Sequence, residues 1–584
     1  MARWTTTLNP ALSLVLVAAC SGGAGEDEGA TDTTGAGSSE GSTAGTSTAG
    51  TSGPGTESGS TTASTSTAGT STAGSTTGGS TTAGSTTTST TTTGPDTDTG
   101  DTDGDPGGVP PSGCPGRLAP LDPYGTIAVV GDGTAPSCTE DALHDAIATV
   151  NAAEGGGTVT FECGADPHTI PLTKSVFAAR SMIVDGGGVI TLSGGGAVRV
   201  IELDHDLDFV LQRITIRDGF VAAGAENESG AGLLSPWFGT LKVIDVTFAD
   251  NVSESQDHDV GGGAIYAGGL TEAVLSGVTF LHNEGSTGGG VLSRSTNLRV
   301  VDSVFLDNAA TSYAEDGQYG NGGGLYIDRM WLDAPIDFEI CGADFEGNHA
   351  KVHGSAFFSY NLEGGGATFD RCTFRGNDMA ASPGGGTGSV YHQGVPLTLV
   401  NSTIADNVTG AHAGGLFLGG GTDAEVINCT FTGNKTPGNA GALWAGDGAV
   451  TIVNTTFHDN EADYGPVIFK GQKGAVSLTN VIFADNKTQN EFSAVACHET
   501  FTDGGGNVQW PDVKNNGKPD TPCAAGILFA DPMLEALADN GGVTPTMALP
   551  AGSPALDRAD TCPETDQRGM PRVGLCDAGG YERQ

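Results

Sequence analysis

Val426-Ile-Asn-Cys-Thr-Phe431-Thr-Gly-Asn434 is followed shortly by Ala440-Gly-Ala-Leu-Trp444, and the pattern restarts as Ile452-Val-Asn-Thr-Thr-Phe457-His-Asp-Asn460. The marker Phe-x-x-Asn recurs at Phe248/Asn251, Phe280/Asn283, Phe305/Asn308, Phe345/Asn348, Phe374/Asn377, Phe431/Asn434, Phe457/Asn460 and Phe483/Asn486, with Ile404/Asn407 in the remaining slot. Recurrence at roughly 25 to 40 residues is the signature of a solenoid.

Aligning the repeats on that Phe exposes columns. Five residues earlier stand Val243, Leu275, Val300, Ile340, Phe369, Leu399, Val426, Ile452 and Leu478, all apolar. Three earlier stand Asp245, Gly277, Asp302, Gly342, Arg371, Asn401, Asn428, Asn454 and Asn480, mostly turn formers. An apolar residue, a short bend and an inward Phe describe two strands meeting at a corner, where the bend resets the alternation. The closing Asn is expected to begin the next turn, tolerating left-handed backbone and bonding its neighbours. A third strand follows in Gly262-Gly-Ala-Ile-Tyr266, Gly322-Gly-Gly-Leu-Tyr326, Gly414-Gly-Leu-Phe417 and Ala440-Gly-Ala-Leu-Trp444. Three strands per coil predict an all-β fold, a right-handed parallel β-helix of about 11 to 12 coils at ~4.8 Å spacing.

In that third strand Ile265, Val291, Leu325, Phe357, Val390, Leu416, Leu443 and Ile468 form a core column. The next position points outward and holds Tyr266, Leu292, Tyr326, Phe358, Tyr391, Phe417, Trp444 and Phe469. Seven of the eight are aromatic in a chain that is 6% aromatic. The expectation is an exposed stacking platform for a polysaccharide or partner strand, whose rings could be removed at far less than the roughly 3–5 kcal/mol of a buried aromatic. The competing reading is an aromatic ladder covered by long loops such as 309–321.

Beyond the repeats, the ends carry their own signals. Arg3, the apolar Leu12–Ala19 and Val17-Ala-Ala-Cys20 resemble the signal peptide and lipobox of bacterial lipoproteins. That resemblance implies export, cleavage before Cys20 and acylation of it, with Ser21 permitting sorting to the outer membrane. Residues 21–112 are Ser/Thr/Gly-rich and predict a disordered tether with ends roughly 50 Å apart. Its acidic close, Asp96 to Asp105, lacks the Gly and Glu of a calcium loop, because Pro106 and Ser112 occupy those places. Leu143, Ala146, Ile147 and Val150 predict an amphipathic helix capped by Thr139, which would shield the open end of the solenoid within an N-terminal cap at 113–155. The surrounding Cys138–Asn151 resembles the domain named for its Cys-Ser-Leu-Arg-Glu-Ala motif, which opens many bacterial β-helix proteins, although the central Arg-Glu is absent here.

The repeats over roughly 200–490 resemble those of chlamydial polymorphic outer-membrane proteins, which are autotransporter adhesins; the C-terminal barrel of those proteins is not expected here. Ala538-Asp-Asn-Gly-Gly-Val-Thr-Pro-Thr546, Gly552-Ser-Pro-Ala-Leu-Asp557 and Cys576-Asp-Ala-Gly-Gly-Tyr-Glu582 resemble the choice-of-anchor Q domain. They imply a C-terminal cap at 511–584 after a β-helix at 156–510, with Cys20 as the anchor. Cysteine use fits an oxidising compartment. Cys138/Cys163, Cys497/Cys523 and Cys562/Cys576 are candidate disulfides, while the pairing of Cys114, Cys341, Cys372 and Cys429 stays open. Cys372 and Cys429 share a column with Ser402 between them, beyond disulfide reach.

A formal charge of -45 with only 24 Lys+Arg argues against nucleic acid and against electrostatic docking on anionic lipid. The Asn-Thr-Asp, Asp-Asp, Gly-His-Gly and Arg-Ile-Lys motifs of pectin hydrolases do not occur. Asp204-His-Asp206-Leu-Asp208 and Asp257-His-Asp259 predict solvated turns, and His349 and His353 have metal spacing only on a helix, which this segment is not. No catalytic residue, metal or cofactor is assigned. The sequence points to a monomeric surface lipoprotein that meets the membrane through its lipid alone and binds an extracellular polysaccharide or surface protein without chemistry. A polysaccharide lyase or glycoside hydrolase and a structural envelope component are the alternatives.

Overall fold

The computed structural model describes residues 112–584 apart from 255–258, 312–319, 330–335, 362–363, 380–384 and 560. The signal segment, Cys20, the tether, its acidic close, Asp257 and His258 lie outside the described residues.

One coil shows how the sequence makes the fold. Gly239–Ile244 runs to Asp245, where the chain turns into Thr247–Ala249; a second turn leads through Asn251 to Val252–Ser253, and Ile265–Gly268 completes the coil. Val252–Ser253 is a two-residue pairing within what reads in the sequence as turn. Successive coils pair in parallel, with Val243 opposite Leu275, Phe248 opposite Phe280 and Ile265 opposite Val291. The register is therefore the column alignment of the repeats. Among the described residues the stack builds one sheet of 26 strands that folds around the corner, one of 11, and two short ones. Parallel coils joined in one hand give a right-handed β-helix.

Inside, the repeated Phe side chains stack on one another, with ring centroids 4.7 Å apart for Phe280–Phe305 and 4.4 Å for Phe305–Phe345. Beside them runs a ladder of buried asparagines. Asn283 Nδ2 donates to the Phe248 carbonyl at 3.0 Å and to Asn308 Oδ1 at 2.9 Å, and that same oxygen accepts the Asn283 backbone N–H. The unit repeats to Asn486, so the buried amides find partners from coil to coil.

Two corners carry left-handed backbone. The column from Asp245 to Asn480 has φ between 45° and 66°, which explains its Asp, Asn and Gly content. The second corner corrects the sequence reading. Its left-handed residue is the one before the Asn, as at Asp250, Asp307, Gly347 and Asp459, while the Asn itself is spared. Turning one residue early aims the Asn amide into the coil, where the ladder needs it.

The helix Glu140–Asn151 closes the first coils, with Thr139 accepting from the Ala142 N–H and Leu143, Ala146, Ile147 and Val150 buried. Its last residue finishes the job. Asn151 Nδ2 donates to the Phe177 carbonyl at 2.9 Å, and Asn151 Oδ1 accepts from the Ala179 N–H at 2.8 Å. The outermost strand of the 11-stranded sheet, Val176–Ala178, thus has its free edge bonded by a side chain.

The segment 112–121 and the C-terminal segment both run along the first corner. Ser112 bonds Asp302, Arg117 Nη2 reaches Asp245 at 2.6 Å, and Leu121 exchanges hydrogen bonds with Gln212. Cys114 is disulfide-bonded to Cys341 with Cα atoms 5.8 Å apart. The C-terminal segment covers the rest of the corner. Thr544 donates to the Asn401 carbonyl at 2.9 Å, Arg572 to Asn428 Oδ1 at 2.9 Å, and Asn454 and Asn480 to carbonyls of Asp577 and Thr561. Cys138–Cys163, Cys497–Cys523 and Cys562–Cys576 are also bridged. Cys372 and Cys429 are buried thiols on either side of the Ser402 coil, and burial pushes the Cys429 thiol up to about 12.

Candidate functional site

Alternation along the 11-stranded sheet places one side chain of each strand in the core and the next outside it. Ile201, Leu233, Ile265, Val291 and Leu325 are inward and buried. The outward register runs Phe177, Glu202, Leu234, Tyr266, Leu292, Tyr326, Phe358, Tyr391, Phe417, Trp444 and Phe469. All seven aromatic residues expected to form one outward column share it. The structure extends the column toward the N-terminus by Phe177, Glu202 and Leu234.

The platform itself needs correction. From Tyr326 to Phe469 the rings stack face to face along the coil axis, at 4.9 Å for Tyr326–Phe358, 4.7 Å for Phe358–Tyr391 and 4.8 Å for Tyr391–Phe417. Trp444 and Phe469 continue the series at 4.6 Å, and His498 closes it 4.7 Å from Phe469. Coil spacing falls within the centroid separation of offset-stacked rings, so the inner rings of the series spend both faces on neighbours. Tyr326 and Phe358 are only 6% and 7% exposed, while Tyr266, Tyr391, Phe417, Trp444 and Phe469 are half-buried. His353 packs 5.2 Å from Tyr391, and burial lowers its pKa to about 4. A neutral ring can then accept at Nδ1 from the Thr387 hydroxyl at 2.9 Å. The glycines of the third-strand motif follow from this packing. A Cβ on Gly354 or Gly388, at φ 64° and 63°, would come within 2.8 Å of the Phe358 Cβ or 2.7 Å of the Phe417 Cβ.

At the N-terminal end the column changes character. Glu202 and Leu234 separate Phe177 from Tyr266, and among the described residues no ring stacks on Phe177, which is 46% exposed. A cleft of about 540 Å³ opens here, walled by Phe177, Trp237 and Tyr266 with Glu202, Asp204 and His205. The turn at Asp204, expected to be merely solvated, forms part of that wall. Trp237 and Phe238 both have positive φ, 35° and 68°, in a region that bulky side chains rarely enter. The indole packs against Gly269, where a Cβ would fall 2.3 Å from the ring. Arg199 holds the far wall, pairing with Glu202 at 2.9 Å and donating to the Asn227 and Ser229 carbonyls.

One pair imitates a nucleophile and its base. Ser359 Oγ is 2.5 Å from His392 Nδ1, and His392 Nε2 is 2.8 Å from the Val395 carbonyl. That carbonyl fixes the tautomer with Nε2 protonated, so Nδ1 accepts from the serine. Both residues are inward and fully buried, and burial lowers the His392 pKa to about 4. The pair satisfies polar groups in the core, where no substrate reaches. Among the described residues no three His, Cys, Asp or Glu side chains converge to hold a metal, and no helix is long and apolar enough to cross a membrane.

Nothing among curated proteins matches the sequence. A solved structure that is similar is PfbA, a surface adhesin of Streptococcus pneumoniae, at 12% identity and TM-score 0.36, covering 63% of this chain and 93% of that one. Residues 337–503 match the family described as right handed beta helix region, which agrees with the handedness and parallel pairing of the coils: the folded body is a right-handed parallel β-helix.

Proposed function

We propose that this protein is an exported, lipid-anchored surface protein whose β-helical body binds an extracellular polysaccharide or surface protein without catalysing a reaction. The observation that supports this most is the asymmetry of the body. One face carries a continuous outward column from Phe177 to Phe469 that ends in an aromatic-walled cleft, while the first corner is covered by the two chain ends. The Cys20 lipobox and the low-complexity stretch after it support the anchoring.

Binding of the full-length protein to a panel of neutral, acidic and amino-bearing polysaccharides and to extracellular-matrix proteins tests the reading. Saturable binding with no release of reducing or unsaturated ends, with or without calcium, is expected. Release of such ends establishes a lyase or hydrolase instead, and absence of any binding leaves a structural envelope role. Separately, Cys20→Ala should free the protein from the membrane fraction or block its maturation; normal membrane retention overturns the lipid anchor.

A further inference from the structure

We propose that the cleft at the N-terminal end of the column binds an oligosaccharide bearing free amino groups, a hexosamine-type glycan. This rests on the ligand-binding reading above and names its site and chemistry.

Three observations converge. The first is the availability of ring faces. Along the stacked stretch the inner rings have rings on both faces, whereas Glu202 and Leu234 keep Phe177 and Tyr266 apart, and Trp237 packs against Gly269 on one side. A pyranose ring needs an open aromatic face, and among the described residues of the column Phe177, 46% exposed, offers the most accessible one. The second is charge. Four carboxylates, those of Glu202, Asp204, Glu226 and Glu228, and a single imidazole line the cleft. Arg199 already answers Glu202 and Glu228 accepts from the Gly224 N–H, so the surplus of negative charge rests on Asp204 and Glu226. The site therefore repels uronates and sulfated sugars and attracts ammonium groups, which both carboxylates and aromatic faces recognise. The third concerns a cationic peptide, the rival occupant of the same chemistry. One route for it is to add a strand to an open sheet edge. Asn151 already occupies the backbone donor and acceptor flanking Phe177, so that edge is closed to a strand while the side-chain wall stays open. Three coil steps separate Phe177 from Tyr266, roughly 14 Å at ~4.8 Å each, a length suited to a short oligosaccharide.

The experiment is calorimetric titration of the full-length protein in detergent with glucosamine hexamer, N-acetylglucosamine hexamer and hexalysine. Saturable binding of the glucosamine hexamer is expected, with the acetylated hexamer at least about tenfold weaker because it lacks the charge. Trp237→Ala and Phe177→Ala should each weaken binding, the former by about tenfold or more, the scale of one lost stacking contact. Thermal melting of both variants checks the fold, and Glu226→Gln, at an exposed position, supplies a charge variant should Trp237→Ala melt early. The proposal is overturned if the glucosamine hexamer does not bind, if its affinity ignores all three substitutions, or if hexalysine binds as tightly with the same dependence on Trp237. A different glycan that binds independently of these residues overturns this site and leaves the general reading standing; a protein that binds nothing at all overturns both.

Discussion

The two ends of one column behave as different materials. From Tyr326 to Phe469 every outward position is a ring and every ring has a ring or imidazole against its face. From Phe177 to Tyr266 two non-aromatic residues interrupt the series, and a cleft appears where the stack would have been. The backbone is the same parallel ladder in both. What differs is whether adjacent coils place like side chains in register. Repetition turns outward rings into a second, satellite core, which Leu292 joins; beyond Glu202, Phe177 stays 46% exposed.

The sharpest way to break that comparison is to remove one ring from the stack. Phe358 lies between Tyr326 and Tyr391 and is 7% exposed. Phe358→Ala should cost about 3–5 kcal/mol, as a core aromatic does, because the gap cannot close between coils fixed by their hydrogen bonds. Urea unfolding measures it. A loss under about 1 kcal/mol would mean that the stack is surface decoration and that the platform expected from the sequence is the better description.

Acid gives the next effect in size. His392 stands inward in the strand that carries Tyr391 outward, and its pKa is about 4 when folded against an ordinary value near 6.5. The unfolded chain therefore takes up the proton first. This contribution is intact above about pH 6.5 and is lost as pH falls toward 4, amounting to roughly 3 kcal/mol. Stability measured at pH 7, 5.5 and 4.5 should fall accordingly, and His392→Gln should flatten that part of the profile. An unchanged slope would show that the proton is taken up elsewhere.

How much of this could be read beforehand follows from where information repeats. The Phe and Asn columns, the apolar column five residues earlier and the left-handed corner at Asp245, Asn401 and Asn454 are legible because each coil imposes the same demand. The helix at Glu140–Asn151 is legible from its own periodicity. The contacts of the chain ends are not. Cys114 meets Cys341 and Thr544 meets Asn401 across long stretches of sequence, and each contact occurs once, so no column reveals it. The cleft was missed for a related reason. Phe177, Glu202 and Leu234 precede the first Phe-x-x-Asn marker at Phe248, and only the strand register places them below Tyr266. Trp237 and Phe238 carry no signal at all until their backbone angles are seen.

At the free edge the comparison sharpens further. Asn151→Ala removes two hydrogen bonds to the Phe177–Ala179 edge and should cost about 1 to 2 kcal/mol. It should also leave an unpaired strand edge, so sedimentation at rising concentration is expected to reveal more self-association than in the parent chain. A variant that stays monomeric would place the protection of that edge in the helix as a whole and not in its last side chain.

The smallest effect on stability belongs to Phe177, and it is the counterpart of Phe358. The two occupy the same outward register, six parallel-paired steps apart, yet one is sandwiched and the other is 46% exposed with no ring stacked on it among the described residues. Burial argues for the difference: an aromatic leaves water in proportion to the area covered, and Phe177 covers little beyond its contact with Glu202 and the cleft wall. Phe177→Ala should therefore shift unfolding by less than about 1 kcal/mol, within the range of ordinary surface changes. Measured beside Phe358→Ala under the same urea conditions, the ratio of the two losses is the quantity that matters. If they come out equal, both ends of the column are core, the cleft is filled in solution, and a ligand would have no ring face left to meet.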